Sequence, residues 1–191
     1  MLILASASPR RLQLLNLITT DFSVITADTD ETAPHGTDVA DAVKLLAERK
    51  AAAVFANHTQ DIVIGADTLV ECDGEVLGKP QNFEDAARML RNLSGNEHRV
   101  HTGVCVIAAG KRHILHEKST VVFHKLEEAE IKAYIATGEP MDKAGAYGIQ
   151  EKGSLFVRRI EGDYFNIMGL PIAALYRVLR DYTTVKAFVA D

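Results

Sequence analysis

The sequence predicts an α/β fold built on a mixed sheet. Apolar strand patterns alternate with amphipathic helix patterns along the chain, an order that is typical of α/β proteins. Short turns at Asp73-Gly74 and around Gly110 predict hairpins, which exclude a purely parallel sheet. The chain has 191 residues, 47% of them hydrophobic and 25% charged, so we expect one domain over residues 1–191, with room for two lobes that share a cleft.

The first half of the chain contains three strand patterns and two helix patterns. A short apolar run at residues 2–5 predicts a buried strand, and the Ser-Pro pair that follows it predicts the start of a helix. Residues 21–27 alternate and predict a second strand, and a loop with Pro and Gly follows over 28–38. A long helix is predicted over 39–56 and a central strand over 62–70.

The second half continues the alternation of helices and strands. Asn82 is predicted to cap a helix that ends near residue 93, because Glu84 and Asp85 suit the positive first turn of a helix. The remaining patterns are a long hairpin over 99–126, a helix over 127–136, a glycine-rich loop over 143–150, a strand over 155–160 and a helix after Pro171.

Composition narrows the class of protein and of partner. The net charge of −5 and the lack of a long Lys/Arg run argue against a nucleic-acid partner, while a small anion remains compatible. Cys72 and Cys105 lie outside any zinc-ligand spacing and predict reduced thiols. No basic leader precedes the first apolar run and no apolar run reaches about 18 residues, so we expect a cytoplasmic protein that makes no use of a membrane.

The segment SASPRR, residues 6–11, is the first candidate for chemistry. Ser8 is predicted to cap the helix that begins at Pro9, where the missing N–H costs nothing. Arg10 and Arg11 then place two cations at the positive end of the helix, which is unfavourable unless an anion compensates. The segment therefore predicts a phosphate site, with two solvated surface arginines as the alternative.

Lys50 and Asp67 are the next candidates because each is out of place in its apolar pattern. Lys50 falls within the apolar stripe of the long helix, so it either snorkels to an edge or points into a cleft. Asp67 lies in an apolar strand, where a carboxylate needs a partner cation or metal. Gly65 shares the face of Asp67 and is expected to leave room for a ligand or water. The alternative is a strand that ends at Asp67.

Three further polar residues carry weaker signals. Lys79 follows the Asp73-Gly74 hairpin and is expected to return to the same end of the sheet as Asp67. Glu31 could supply a second carboxylate for a divalent cation, and Gln150 closes a glycine-rich loop where an amide could bind a base edge. Taken alone, each is better explained as an ordinary exposed residue or turn.

Eight short motifs occur in order along the chain: ASASPRR, TDET, LAERKA, IGADTLV, GKP, LSGNEHRVHTGV, DKAGAYGIQ and GDYFNIMGLP. Together they resemble the Maf proteins, a family of nucleoside triphosphate pyrophosphatases. The resemblance covers nearly the whole chain up to about Tyr182.

The Maf resemblance implies a fold and an activity. The fold would be a strongly twisted mixed sheet flanked by helices in two lobes with a central cleft, similar to inosine triphosphate pyrophosphatases. The activity would be cytoplasmic cleavage of a nucleoside triphosphate between its α- and β-phosphates with Mg²⁺ or Mn²⁺, in a homodimer. Asp67 matches the position of the family's proton acceptor. Asp67 and Glu31 together would bind the metal. Which of the two carboxylates activates the water and which holds the metal stays open. The residues that match phosphate-binding positions are Ser8, Arg11, Lys50 and Lys79.

Three positions resemble the branch of the family that acts on dTTP and UTP. These are Arg10, Thr68 and Gln150, which would be Trp, Gln and Glu in the branch that acts on 7-methyl-GTP. A Gln amide can pair with the donor and acceptors of uracil or thymine, whereas a carboxylate suits the donor-rich edge of guanine. Two alternatives stay open: modified pyrimidine nucleotides such as 5-methyl-UTP or pseudo-UTP as substrates, and a nucleotide-binding regulator of septum formation with little turnover.

Overall fold

The structure is a computed structural model and describes residues 1–182. Its strands are β1 (Leu2–Leu4), β2 (Ser23–Val24), β3 (Ile62–Cys72), β4 (Glu75–Leu77), β5 (Glu97–Ala108), β6 (Lys111–Phe123) and β7 (Val157–Glu161). Its α-helices are α1 (Pro9–Leu15), α2 (Val39–Phe55), α3 (Phe83–Leu93), α4 (Glu128–Ile135), α5 (Tyr164–Ile167) and α6 (Ile172–Leu179). Short 3-10 helices occupy Glu139–Asp142, Ala144–Ala146 and Lys152–Phe156.

The strands form one mixed sheet in the order β2-β1-β3-β5-β6-β7, with β4 paired to β3. β1 runs parallel to both β2 and β3. β4 is antiparallel to β3, and β7 is antiparallel to β6. The predicted mixed α/β fold is therefore confirmed.

The chain divides into two compact units. Among the described residues, the first comprises residues 1–67, 102–117 and 169–182, and the second comprises residues 68–101 and 118–168. Three of the four boundaries fall inside β3, β5 and β6, and the fourth, between residues 168 and 169, lies between α5 and α6. A single functional domain with a central cleft stays a prediction.

In the first unit, α2 packs on the sheet through small side chains. Ala47 and Ala51 belong to a buried cluster with Ile3 of β1 and Val63 of β3. A β-carbon added at Gly65 would collide with the carbonyl oxygen of Ala47 and would lie 2.6 Å from the backbone nitrogen of Ala51. The absence of a side chain at Gly65 therefore allows α2 to approach β3 closely.

Both predicted hairpins are confirmed, and their turns share one backbone geometry. Asp73 and Gly74 have φ values of 49° and 79°, and Ala109 and Gly110 have φ values of 47° and 74°. Two consecutive left-handed residues define the turn that matches the twist of a two-residue hairpin. Glycine at the second position of each turn removes most of the steric cost of this geometry.

Several boundaries differ from the sequence prediction. The strand predicted over 21–27 is confined to Ser23–Val24, and the strand predicted over 155–160 begins at Val157 because residues 152–156 form a 3-10 helix. The long helix and the Asn82 cap are confirmed: α2 spans Val39–Phe55, and the Asn82 side chain accepts a hydrogen bond from the Asp85 N–H at 2.8 Å. Within residues 1–182, no helix combines the length and the apolar character that crossing a membrane requires.

Candidate active site

Lys50 is the centre of the candidate site in the first unit. Its Nζ donates to Asp67 Oδ1 at 2.5 Å and forms an ion pair with Glu31 Oε1 at 2.7 Å. The Lys50 and Asp67 side chains are only 14% and 12% exposed, so their charges attract each other with little screening by water. Lys50 is thus the partner that the buried carboxylate of Asp67 needs. The alternative of a strand that ends at Asp67 is wrong, because β3 continues to Cys72.

The close approach of α2 to β3 explains why Lys50 and Asp67 meet. Gly65 lies two residues before Asp67 on the same face of β3, and the backbone of α2 fills the space beside it. Lys50 precedes Ala51 on that helix and reaches the carboxylate directly. The expectation that Gly65 leaves room for water or ligand is therefore wrong, since that room is taken up by the helix.

Arg49 attaches the loop that carries Glu31 to the same helix. Its Nη1 donates to the carbonyl oxygen of Thr32 at 2.7 Å and to that of Asp30 at 3.3 Å. The Asp30 side chain in turn accepts a hydrogen bond from the Thr32 N–H at 2.8 Å, which closes a turn around Glu31. This N–H is also the main reason why the pKa of Asp30 lies below its usual value. Adjacent residues of α2 thus hold both the backbone around Glu31 and its carboxylate.

The start of α1 differs from the predicted cap. Ser8 occupies the N-cap position, but its side chain makes no capping hydrogen bond. Its N–H instead donates to Ser6 Oγ at 3.3 Å. The predicted Pro9 start of the helix is confirmed. The Ser8 hydroxyl is therefore not committed to the helix that follows it.

Arg11 is anchored by two groups that sequence reasoning did not identify. Its Nε donates to the carbonyl oxygen of Gly169 at 2.8 Å, and its Nη1 donates to Ser6 Oγ at 3.2 Å. Burial of the guanidinium lowers the pKa of Arg11, while the negative charge of nearby Asp67 raises it. Arginine stays charged under such shifts, so Arg11 places a fixed cation near the Lys50–Asp67 pair. Arg10, the residue before Arg11, is half-buried.

The second unit carries the other three predicted residues. Thr68 follows Asp67 in β3 and is half-buried, whereas Lys79 and Gln150 are exposed. The glycine-rich loop contacts the segment before Lys79, because the Gly145 N–H donates to the Gly78 carbonyl oxygen at 3.0 Å. Glycine is required at position 145, where φ is +70° and Val70 packs tightly. The loop that carries Gln150 is therefore fixed to the backbone beside Lys79.

A divalent cation would find two carboxylates but no complete ligand set. Within residues 1–182, no group of three or more His, Cys, Asp or Glu side chains is placed to hold a metal ion. Glu31 Oε1 and Asp67 Oδ1 nevertheless both contact one positive atom, Lys50 Nζ. Two hard carboxylate oxygens that converge on one cation fit Mg²⁺ or Mn²⁺, which take further ligands from water and phosphate.

Comparison with known proteins places this chain in a family. The family model described as Maf-like protein matches residues 1–182. The chain belongs to the Maf family. Two relatives of this Maf chain, each named dTTP/UTP pyrophosphatase, come from Geobacillus sp. (strain WCH70) and Bacillus mycoides (strain KBAB4). They are 52% and 48% identical over 179 and 181 residues, covering 94% and 95% of this chain and 96% and 95% of their own lengths.

A solved structure supports the fold of this Maf chain independently. The Ham1 protein of Staphylococcus aureus matches with a TM-score of 0.50 over 94% of this chain and 98% of its own. Its sequence identity is only 16%, so the likeness concerns the fold alone. The family resemblance that was drawn from the eight motifs is confirmed by the match over residues 1–182.

Proposed function

We propose that this chain hydrolyses dTTP and UTP between the α- and β-phosphates and releases the nucleoside monophosphate and pyrophosphate. The observation that carries the proposal is the 52% identity, over 94% of the chain, to a relative named dTTP/UTP pyrophosphatase. The contact of Lys50 with both Asp67 and Glu31 supports it, because it supplies the charged groups that such a reaction needs. Such an enzyme would remove unwanted pyrimidine nucleotides.

The phosphates are the part of the substrate that cations must hold. Arg11 supports this role because Gly169 and Ser6 fix its position, so a phosphate would meet a preorganised donor. Lys50 and Lys79 add positive charge that does not itself react, and the Ser8 hydroxyl can donate to a phosphate oxygen. α1 has only seven residues, so side chains rather than its helix dipole supply most of the attraction.

Hydrolysis needs a water whose proton is accepted as it attacks the α-phosphorus. Asp67 is proposed as that acceptor, since its carboxylate is buried and held at one oxygen by Lys50. Lys50 thereby fixes the orientation of the base. Glu31 is 59% exposed and is proposed to orient the water or the metal from its loop.

A divalent metal, Mg²⁺ or Mn²⁺, is proposed as the cofactor. Glu31 and Asp67 would hold it, because they are the carboxylates that share one cation in this structure. When bound, such a metal offsets the negative charge that develops on the phosphate oxygens. The protein side of the site would then supply the two acidic ligands and the cations around them.

Base selectivity is proposed to depend on Arg10, Thr68 and Gln150. The exposed amide of Gln150 can both donate and accept, and therefore matches the edge of uracil or thymine. A methyl group at C5 changes the fit by only about 1–3 kcal/mol, so modified pyrimidine nucleotides are compatible with the same residues. On the family resemblance we also propose a cytoplasmic homodimer.

The experiment that tests the proposal is pyrophosphate release with Mg²⁺ from dTTP, UTP, CTP, dATP, GTP and 7-methyl-GTP, for wild type and Asp67→Asn. Preferential turnover of dTTP and UTP, lost in Asp67→Asn, is the expected result. Equal turnover of the purine nucleotides would contradict the selectivity assignment and leave the hydrolase intact. No turnover of any nucleotide would contradict the enzyme and favour the regulator.

A further inference from the structure

The backbone around Gln150 is bound at its far end by one carboxylate. Glu139 Oε2 accepts a hydrogen bond from the Lys152 N–H at 3.1 Å, and Glu139 Oε1 accepts one from the Gly153 N–H at 3.1 Å. Hydrogen bonds to a charged acceptor are stronger than those between neutral groups. Glu139 therefore fixes the chain two and three residues after Gln150.

The near end of the same segment is bound through a tyrosine hydroxyl. Tyr134 OH donates to Glu139 Oε1 at 2.8 Å and accepts a hydrogen bond from the Gly148 N–H at 3.0 Å. Burial and the carboxylate of Glu139 both raise the pKa of Tyr134, so the hydroxyl stays protonated and can donate. One carboxylate thus holds both flanks of Gln150, one directly and the other through Tyr134.

The fit between the segment and these two side chains is close. A β-carbon at Gly148 would lie 3.0 Å from Glu139 Oε1 and 2.7 Å from Lys143 Cε. A β-carbon at Gly153 would lie 2.7 Å from Tyr134 OH. Lys143, at the start of the loop, also donates to the Glu139 carbonyl oxygen at 2.7 Å. The segment cannot shift without breaking several of these contacts.

We infer that Glu139, together with Tyr134, is a positioning residue that sets base selectivity through Gln150. The inference rests on the proposed role of Gln150 in binding the base. An exposed amide discriminates between bases only if the backbone that carries it is fixed, because a loose loop can retreat to admit a larger base. Because residues 148 and 153 are fixed, the backbone of Gln150 between them is fixed too. This sets how far its amide extends toward a bound base.

The test compares Glu139→Gln and Tyr134→Phe with wild type in the ratio of kcat/KM for UTP over GTP. The Glu139→Gln substitution places an amide donor against the Lys152 N–H. The Tyr134→Phe substitution removes the hydroxyl that links Glu139 to the Gly148 N–H. Each variant is expected to lower this UTP/GTP ratio about tenfold, mainly because kcat/KM for GTP rises. Glu130→Gln is the matched control: Glu130 accepts from the Glu127 N–H at 2.7 Å on the same unit without contacting the loop, so its ratio is expected to stay at the wild-type value.

Gln150→Ala separates failure of this inference from failure of the proposed function. If Gln150→Ala collapses the ratio and Glu139→Gln lowers turnover of UTP and GTP equally, Glu139 is merely structural and the inference is overturned. If Gln150→Ala leaves the ratio unchanged, the base-binding role fails and the inference falls with it. Calorimetry with the α,β-methylene analogues of UTP and GTP gives the ratio of their dissociation constants without turnover, so base discrimination in binding can be compared among the variants even in an inactive chain.

Discussion

Lys50 Nζ lies 2.5 Å from Asp67 Oδ1 and joins the middle of α2 to the middle of β3. The contact occurs where small residues bring the helix against the sheet, so neither side chain has to extend into solvent to reach the other. Because its carboxylate is held at one oxygen, Asp67 is already oriented before any ligand binds.

Lys50→Met is expected to lower kcat/KM for dTTP by about 100-fold or more. The substitution leaves the carboxylate of Asp67 buried without its cation, and it removes one of the positive charges proposed to bind the phosphates. Pyrophosphate release measures the effect. Lys44→Met is the matched control on the same helix, since Lys44 pairs with exposed Asp41 at 2.6 Å away from the candidate site. A Lys50→Met variant within threefold of the control would refute the assignment.

Arg49→Met is expected to release the loop around Glu31 from α2. We predict a loss of activity of about tenfold and a higher Mg²⁺ concentration for half-maximal rate, because the backbone around Glu31 would no longer be held and only Lys50 would position its carboxylate. Magnesium titrations of the initial rate measure both effects. Arg112→Met is the control, since Arg112 pairs with Glu48 of the same helix at 2.5 Å without contacting the loop. Equal magnesium requirements in the two variants would show that Arg49 acts on stability alone.

Gly65→Ala is expected to reduce the free energy of unfolding by about 2–3 kcal/mol, because the new methyl group would strike the backbone of α2 rather than a flexible side chain. Urea denaturation measures the change. Gly78→Ala is the control in the same chain, because a β-carbon there would have no atom within 4 Å. Equal stability of the two variants would mean that α2 moves away from β3 without cost.

Acid is expected to destabilise the second unit through His98. Burial lowers the pKa of His98 to about 4, whereas the unfolded chain takes up the proton near 6.5. The unfolded state binds more protons between these values, so the stabilising contribution is complete above about pH 6.5 and is lost as the pH falls toward 4. At pH 5 the loss amounts to about 2 kcal/mol.

Urea denaturation at two pH values isolates this contribution. His98→Phe is expected to shrink the difference in unfolding free energy between about pH 7.5 and about pH 5 by roughly 2 kcal/mol, because the titrating group is gone. Tyr147→Phe removes the hydroxyl 2.8 Å from His98 Nε2 but keeps the histidine, so most of the difference should persist. An unchanged difference in His98→Phe would assign the acid sensitivity to carboxylates instead.

Sequence patterns predicted the features whose causes are local. The hairpin turns need left-handed residues, which Gly74 and Gly110 supply, and the Asn82 cap depends on residues three positions apart. The charges of Lys50 and Asp67 could also be identified as candidate site residues from the sequence, because each contradicts the apolar pattern around it. Their mutual contact follows from the register of α2 on β3, which a pattern along one segment does not contain.

Other parts of the site depend on contacts between distant segments. Arg49 is an ordinary helix residue in sequence, and only the folded loop shows that it binds the backbone at Asp30 and Thr32. Glu139 likewise accepts hydrogen bonds from the backbone of residues 152 and 153, a contact between segments that no local pattern contains. Ser8 was predicted to cap because its residue type favours capping, but Ser6 Oγ accepts the Ser8 N–H in the turn before α1.

The hydrogen bond from Arg11 to Gly169 makes one proposed phosphate ligand depend on a late part of the chain. It joins residues 158 positions apart, and both residues belong to the first unit. During synthesis, residues 1–67 and 102–117 of that unit are made before this carbonyl exists, so Arg11 gains its anchor only after the chain has passed Gly169. A truncated product that ends before Gly169 would lack this anchor and is expected to bind nucleotide more weakly.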